Sequence, residues 1–121
     1  MKLTLPLPPN LLNARMHWRT RHAKTEAYYQ QCTLWAVAGK CPRAPLQMPE
    51  KAEVRATVYL WSLMDEDGLT GRLKWPIDWM VYQGYLTDDK PKNMSLAKPA
   101  QYIDRKNPRV ELTVTPIPET T

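Results

Sequence analysis

The chain has 121 residues, 43% of them hydrophobic, and its 17 Lys and Arg against 12 Asp and Glu give a formal charge of +5. That length supports one ordinary core, so a single domain over residues 1–121 is expected, and the basic balance favours a polyanionic partner such as nucleic acid. No apolar run approaches the roughly 20 residues of a membrane span, and Met1-Lys2-Leu3-Thr4-Leu5-Pro6 lacks the apolar stretch of a secretory signal, so a cytoplasmic protein with no membrane partner is expected.

Leu3, Leu5 and Leu7 alternate with Lys2, Thr4 and Pro6, the period of a half-buried strand, which Pro8-Pro9 then stops. From Asn10 to Lys24 the chain is polar and basic with one large aromatic, Trp18, which reads as a loop entering a helix. The helix is expected from near Thr20 or Lys24 to Ala38, with Gly39 as its natural terminator. Cys41 to Pro49, with Pro42, Pro45 and Pro49, lacks periodicity and reads as a connection.

Val54, Ala56, Val58 and Leu60 alternate with Arg55, Thr57, Tyr59 and Trp61, a strand that runs directly into Asp65-Glu66-Asp67-Gly68. Leu69, Leu73, Ile77 and Met80 share a helical face, but a proline inside a helix costs about 3 kcal/mol. The regular helix is therefore expected to begin only at Trp75 or Pro76, leaving Gly68 to Lys74 as a loop or irregular turn. Gly84 is placed to close that helix. Asn93 to Lys98 and Gln101 to Asp104 are weak strand candidates; Val110, Leu112 and Val114 form a convincing last strand ended by Pro116, with a mobile tail from Glu119. Together these elements predict an α+β two-layer sandwich, a small mixed sheet with two helices.

Cys32 and Cys41 fit reduced thiols better than a disulfide framework, and His17 and His22 are too few to argue for zinc. The acidic residues are more informative. Alone, Asp65-Glu66-Asp67-Gly68 reads as a turn, since Asp tolerates turn geometry and Gly supplies positive φ. A calcium loop of the EF-hand kind fails, because its glycine would fall at Thr70 and its closing glutamate at Pro76. Asp88-Asp89 begins 88 − 67 = 21 positions after Asp67, just beyond a short helix that can return the chain beside the strand's end.

On an extended segment Asp65 and Asp67 point the same way and Glu66 points elsewhere. Carboxylates about 5 Å apart repel by roughly 3 kcal/mol at an effective dielectric near 20, so a convergent set needs solvent, protons or a cation. A hard divalent cation acting on phosphates is the productive answer. Lys74 is a candidate fifth member, to balance the carboxylates, orient a phosphate or stabilise a leaving oxygen; the alternative is a surface pair with Asp78 at i, i+4.

Several motifs fall in one order: Leu5-Pro6-Leu7-Pro8-Pro9 with Asn10 or Asn13, Asp65-Glu66-Asp67, Lys74 with Asp78, Gly84-Tyr85-Leu86-Thr87-Asp88-Asp89, and Arg109-Val110-Glu111-Leu112-Thr113-Val114. In these the chain resembles the RusA family of Holliday-junction resolvases, small endonucleases common in phages and prophages, over nearly its whole length. The resemblance implies a homodimer that binds branched DNA and makes paired cuts at four-way junctions with Mg²⁺, Mn²⁺ being a possible substitute, and with no small-molecule cofactor. It implies a bacterial host cell, with the protein phage or prophage encoded. It would place catalytic residues at Asp65, Asp67, Asp89 and Lys74, and metal ligands at Asp65, Asp67, Asp88 and Asp89. Gly68 departs from the family's usual asparagine, and Thr70-Gly71-Arg72 looks like an insertion.

Phosphate contacts are expected from Arg15, Arg19, Arg21 and Lys24, with Lys90 and Lys92 as a second group, Asn13 nearby, and His17 and Trp18 as base-stacking candidates. Trp61, Trp75, Trp79, Tyr82 and Tyr85 exceed what a small core requires and supply candidates for a subunit contact. Two other readings remain: a DNA-binding relative that has lost cleavage, and a small basic interaction protein whose Asp-rich turns are structural.

Overall fold

The computed structural model of the protein describes residues 1–9 and 18–118. It is an α+β two-layer fold: β1 (Lys2–Pro6), α1 (Trp18–Trp35), β2 (Ala52–Leu60), α2 (Glu66–Gln83), β3 (Met94–Leu96), β4 (Ala100–Ile103) and β5 (Arg109–Pro116). The sheet is mixed. β5 lies antiparallel between β1 and β2, while β3 and β4 run parallel to β2 along its other side.

The alternation in the strands decides which face meets the helices. Leu3 and Leu5 of β1, Val54, Ala56, Val58 and Leu60 of β2, and Val110, Leu112 and Val114 of β5 are buried in one cluster with Leu69, Leu73, Ile77 and Met80 of α2. The expected strands are all present, including the two weak ones, and Gly39 and Gly84 both adopt a φ of 89°, the left-handed conformation that ends a helix. Gly84 donates its backbone N–H towards the Met80 and Val81 carbonyls.

Three expectations need correction. The basic stretch from Trp18 to Lys24 is helical rather than loop, because α1 begins at Trp18. At its other end α1 passes at Trp35 into a wider turn over Ala36–Lys40. The second correction concerns α2, which begins at Glu66 and carries Pro76 in its interior. The proline penalty of about 3 kcal/mol is outweighed because Leu69 and Leu73, buried only if the helix starts early, each contribute about 1.5–3 kcal/mol. Pro76 itself lies on the buried stripe. Third, Asp67 stands in a helical first turn and Asp65 at the N-cap, so the strand rule that separated Glu66 from its neighbours does not apply.

Side chains anchor the proline-rich end of β1. Tyr28 donates its hydroxyl to the Pro6 carbonyl at 2.8 Å, and Arg72 donates from Nε and Nη2 to the Pro8 carbonyl at 3.0 and 2.6 Å. Arg72, in the stretch that looked like an insertion, thus ties α2 to β1. Cys32 and Cys41 are free thiols; burial pushes the Cys32 thiol up to about 12. Among the described residues no helix is long and apolar enough to cross a membrane.

Candidate functional site

The loop leaving β2 is held by a side chain that imitates a strand. Gln101 of β4 accepts the Met64 backbone N–H at 3.0 Å and donates to the Met64 carbonyl at 2.8 Å. This fixes the residue before Asp65. Asp65 then starts α2 with an extended backbone, its carbonyl accepting the Leu69 N–H at 3.0 Å, while its carboxylate makes no capping bond.

The Asp65 carboxylate instead lies over Gly68. A Cβ at Gly68 would stand 2.8 Å from Asp65 Oδ1 and 2.9 Å from the Met64 methyl group, so the absent side chain leaves the space these two groups occupy. Glu66 and Asp67, both exposed, complete an acidic first turn where the helix dipole favours negative charge.

Asp88 and Asp89 sit elsewhere. After Gly84 the chain buries Tyr85 and Leu86, then Thr87 donates to the Pro49 carbonyl at 2.8 Å and Asn93 donates to the Glu50 carbonyl at 2.9 Å. Those partners precede β2, whereas Asp65 follows it. α2 therefore carries the chain back along the whole strand instead of returning it beside the strand's end, and its 18 residues span about 27 Å.

The two acidic pairs lie at opposite ends of one helix. Among the described residues no three His, Cys, Asp or Glu side chains converge so as to hold a metal ion. Within one chain Asp65 and Asp67 thus stand apart from Asp88 and Asp89, on opposite sides of α2's span.

Asp88 has partners of its own. Its Oδ1 accepts the Asp89 N–H at 2.7 Å and its Oδ2 lies 3.8 Å from Lys90 Nζ; that backbone bond, with help from Lys90, lowers its carboxyl pKa. Lys92 is exposed on the same turn.

Between the two ends lies a cleft where α1 meets α2, lined by Arg21, Thr25 and Tyr29 from one helix and Lys74, Trp75 and Asp78 from the other, with a volume of about 330 Å³. The spacing explains the lining: positions 21, 25 and 29 fall on one face of α1, as do 74 and 78 on α2. Burial raises the Asp78 carboxyl pKa, Asp89 raises it further, and Lys74 partly offsets both. Tyr29 is likewise raised, by burial first and then by Asp78 and Glu26, so its hydroxyl stays protonated as a donor.

Of the other expected DNA contacts, Arg19 and Lys24 are exposed on the first two turns of α1, and the Arg19 guanidinium lies 5.4 Å from the centre of the Trp18 ring. Trp18 is exposed, not core. Lys24 faces away from the cleft, lining a shallow groove with Leu7, Pro9 and Gln31. Asn10, Asn13, Arg15, His17 and the tail from Glu119 lie outside the described residues. Trp79 and Tyr85 are buried and Trp75 is half-buried against Tyr28, which leaves Trp61 and Tyr82 as the exposed aromatics of the five proposed for a subunit contact.

Sequence reasoning left three residues out of the site. Asp78 carried a signal, its i, i+4 spacing from Lys74, whereas Gln101 and Arg72 act through backbone carbonyls that no spacing reveals. Compared with protein-family models and with curated proteins, the chain matches none.

Proposed function

We propose that the chain is one subunit of a divalent-cation-dependent endonuclease that cuts four-way DNA junctions in pairs of strands. The observation that carries this reading is the arrangement along α2: Asp65 and Asp67 at its start, Lys74 and Asp78 in its middle, Asp88 and Asp89 beyond its end. That is the acidic and cationic equipment of a phosphodiester hydrolase, divided between two places.

A homodimer reconciles the division with a working site. A twofold axis across the middle of α2 sets two copies of the helix antiparallel, which brings the start of one beside the end of the other. Each of two equivalent sites would then take Asp65 and Asp67 from one subunit and Asp88 and Asp89 from its partner. Two such sites suit the two equivalent strands of a junction. Mg²⁺ is the cation such an oxygen set suits, with Mn²⁺ as a substitute, and metal-assisted hydrolysis is the class of chemistry it would supply. Exposed Tyr82 and Lys74 on α2 are available to the contact.

The test offers synthetic four-way junctions and matched linear duplex to wild type, Asp67→Asn, Asp89→Asn, and the two variants mixed after partial unfolding and refolding. Mg²⁺-dependent paired nicks in wild type, lost in each variant, are expected, with single-strand nicks regained in the mixture because each mixed dimer keeps one of its two sites intact. Cutting by wild type without recovery in the mixture would place both acidic pairs of a site in one chain and overturn the two-subunit arrangement.

The separation of the aspartates within one chain favours a second reading, a junction-binding protein without cleavage. Tight junction binding with no cuts under Mg²⁺ or Mn²⁺ would select it. No preference for the junction over duplex would remove both.

A further inference from the structure

The sheet has a second face, turned away from α1 and α2, that neither acidic end uses. In β2, Tyr59 alternates with the buried Val58 and Leu60 and so points to that face. Its partners in register are Arg109 of β5 on one side and Tyr102 of β4 on the other. The three side chains form one ladder across the strands. The Arg109 guanidinium lies 3.8 Å from the centre of the Tyr59 ring, and the Tyr59 and Tyr102 rings stack at 5.9 Å with 29° between their planes.

This ladder is fixed at one end and open at the other. Arg109 donates to the Asp104 carboxylate at 3.0 Å, to the Glu111 carboxylate at 3.2 Å and to the Asn107 carbonyl at 2.9 Å, which immobilises the first rung. Tyr102 ends the ladder at the edge of the sheet, where no strand lies outside β4 among the described residues, and it remains 57% exposed. Trp61, two residues beyond Tyr59, is exposed as well, and Arg105 donates to its carbonyl at 3.1 Å. Arg105 and Lys106 are exposed on the turn that follows β4, and neither forms an ion pair among the described residues.

We infer that this face is a stacking platform for an unpaired base of a DNA strand, with Tyr102 as the ring on which the base lies and Arg105 and Lys106 beside it for the adjoining phosphates. A ring already held from behind accepts a second planar group with little further loss of side-chain freedom. The cations favour a polyanion, and a nucleic-acid strand is the polyanion that carries a planar ring on every unit. Position links the platform to the first acidic end: β4 turns Gln101 to the Met64 backbone, next to Asp65, and the adjacent Tyr102 to the opposite face. In naming DNA rather than RNA the inference rests on the nuclease reading, but the stacking itself does not.

Binding to the full chain is followed by fluorescence anisotropy in EDTA, which excludes metal-dependent cutting, with a labelled thymidine octamer, a uridine octamer and an abasic DNA octamer of equal phosphate count. The thymidine strand is expected to bind roughly tenfold more tightly than the abasic one. Tyr102→Leu, which keeps an apolar strand residue and removes the ring, should abolish that margin, and Tyr102→Phe should retain it. The double change Arg105→Ala and Lys106→Ala should weaken all three strands alike and flatten their salt dependence.

Equal binding of the thymidine and abasic strands, or a margin lost in Trp18→Ala but kept in Tyr102→Leu, would overturn the inference. Tighter binding of the uridine strand would overturn its assignment to DNA. A smaller sedimenting species for Tyr102→Leu, with the margin unchanged, would give this face to a second copy of the chain instead. Junction cutting by wild type without a margin that depends on Tyr102 would reject the platform and keep the nuclease. Such a margin without junction cutting would keep the platform and reject the nuclease.

Discussion

The two ends of α2 carry the same residue type and hold it by opposite means. At the start, Asp65, Glu66 and Asp67 stand at a helix N-terminus whose dipole favours negative charge, Gln101 fixes the Met64 backbone before them, and Arg72 ties the helix to the Pro8 carbonyl. Beyond the other end the dipole is unfavourable, and Asp88 depends on the Asp89 N–H and on Lys90. A pair of aspartates written twice in a sequence thus does not make two equivalent half-sites. The first is positioned by the sheet and helix behind it, the second by a turn and by its own neighbours.

The largest expected effect loosens the first end alone. Arg72→Ala removes two hydrogen bonds to the Pro8 carbonyl and should cost about 1–3 kcal/mol in denaturant unfolding. Amide exchange should accelerate at residues 66–69 and hardly change at 80–86; acceleration at both ends would show that they are not held independently.

The second end answers to Gly84. Its φ of 89° makes Gly84→Ala cost about 1–2 kcal/mol, with loss of protection around Tyr85 and Leu86. An unchanged melting temperature would mean that the left-handed cap contributes nothing to holding the turn.

Gly68→Ala separates stability from position. A helical Gly→Ala change stabilises by up to about 1 kcal/mol. Here the new methyl meets only the ends of two flexible side chains, which can move, so the fold should tolerate it. The Asp65 carboxylate must shift, so on the proposed nuclease reading junction cleavage should fall while the melting temperature holds or rises. Unchanged cleavage would remove Asp65's position from the mechanism.

The smallest effect lies in the middle of α2. Burial, and after it Asp89, raises the folded-state pKa of Asp78 against the pull of Lys74. The folded protein then binds that proton more tightly than the unfolded chain, so stability falls as pH rises from the ordinary carboxylate value through the raised one. Asp78→Asn should flatten that part of a melting-temperature profile; a steeper fall with pH would reverse the assignment.

Much of this was legible in the residues. Alternating Leu, Val and Ala wrote the strands, and Gly39 and Gly84 wrote the helix ends. The start of α2 was not legible, because the local rule about Pro76 pointed one way and the burial of Leu69 and Leu73 the other. That single boundary decides the site: a helix starting near Pro76 would leave the acidic pairs close, and one starting at Glu66 drives them apart. The identity of the candidate acids follows from type and spacing, but their separation depends on how far a helix runs over a strand.

β1 has β5 as its neighbour in the sheet, with Lys2 opposite Thr113 and Pro6 opposite Arg109. Leu3 and Leu5 therefore pair only with residues from the far side of the chain, Leu112 and Val110. Contacts of such sequence separation slow folding, and a chain ending before Arg109 would keep an unpaired apolar strand at its N-terminus. The sheet that backs α2 is thus completed through one of its most sequence-distant pairs of strands, β1 with β5, so α2 rests on a platform assembled from both halves of the chain.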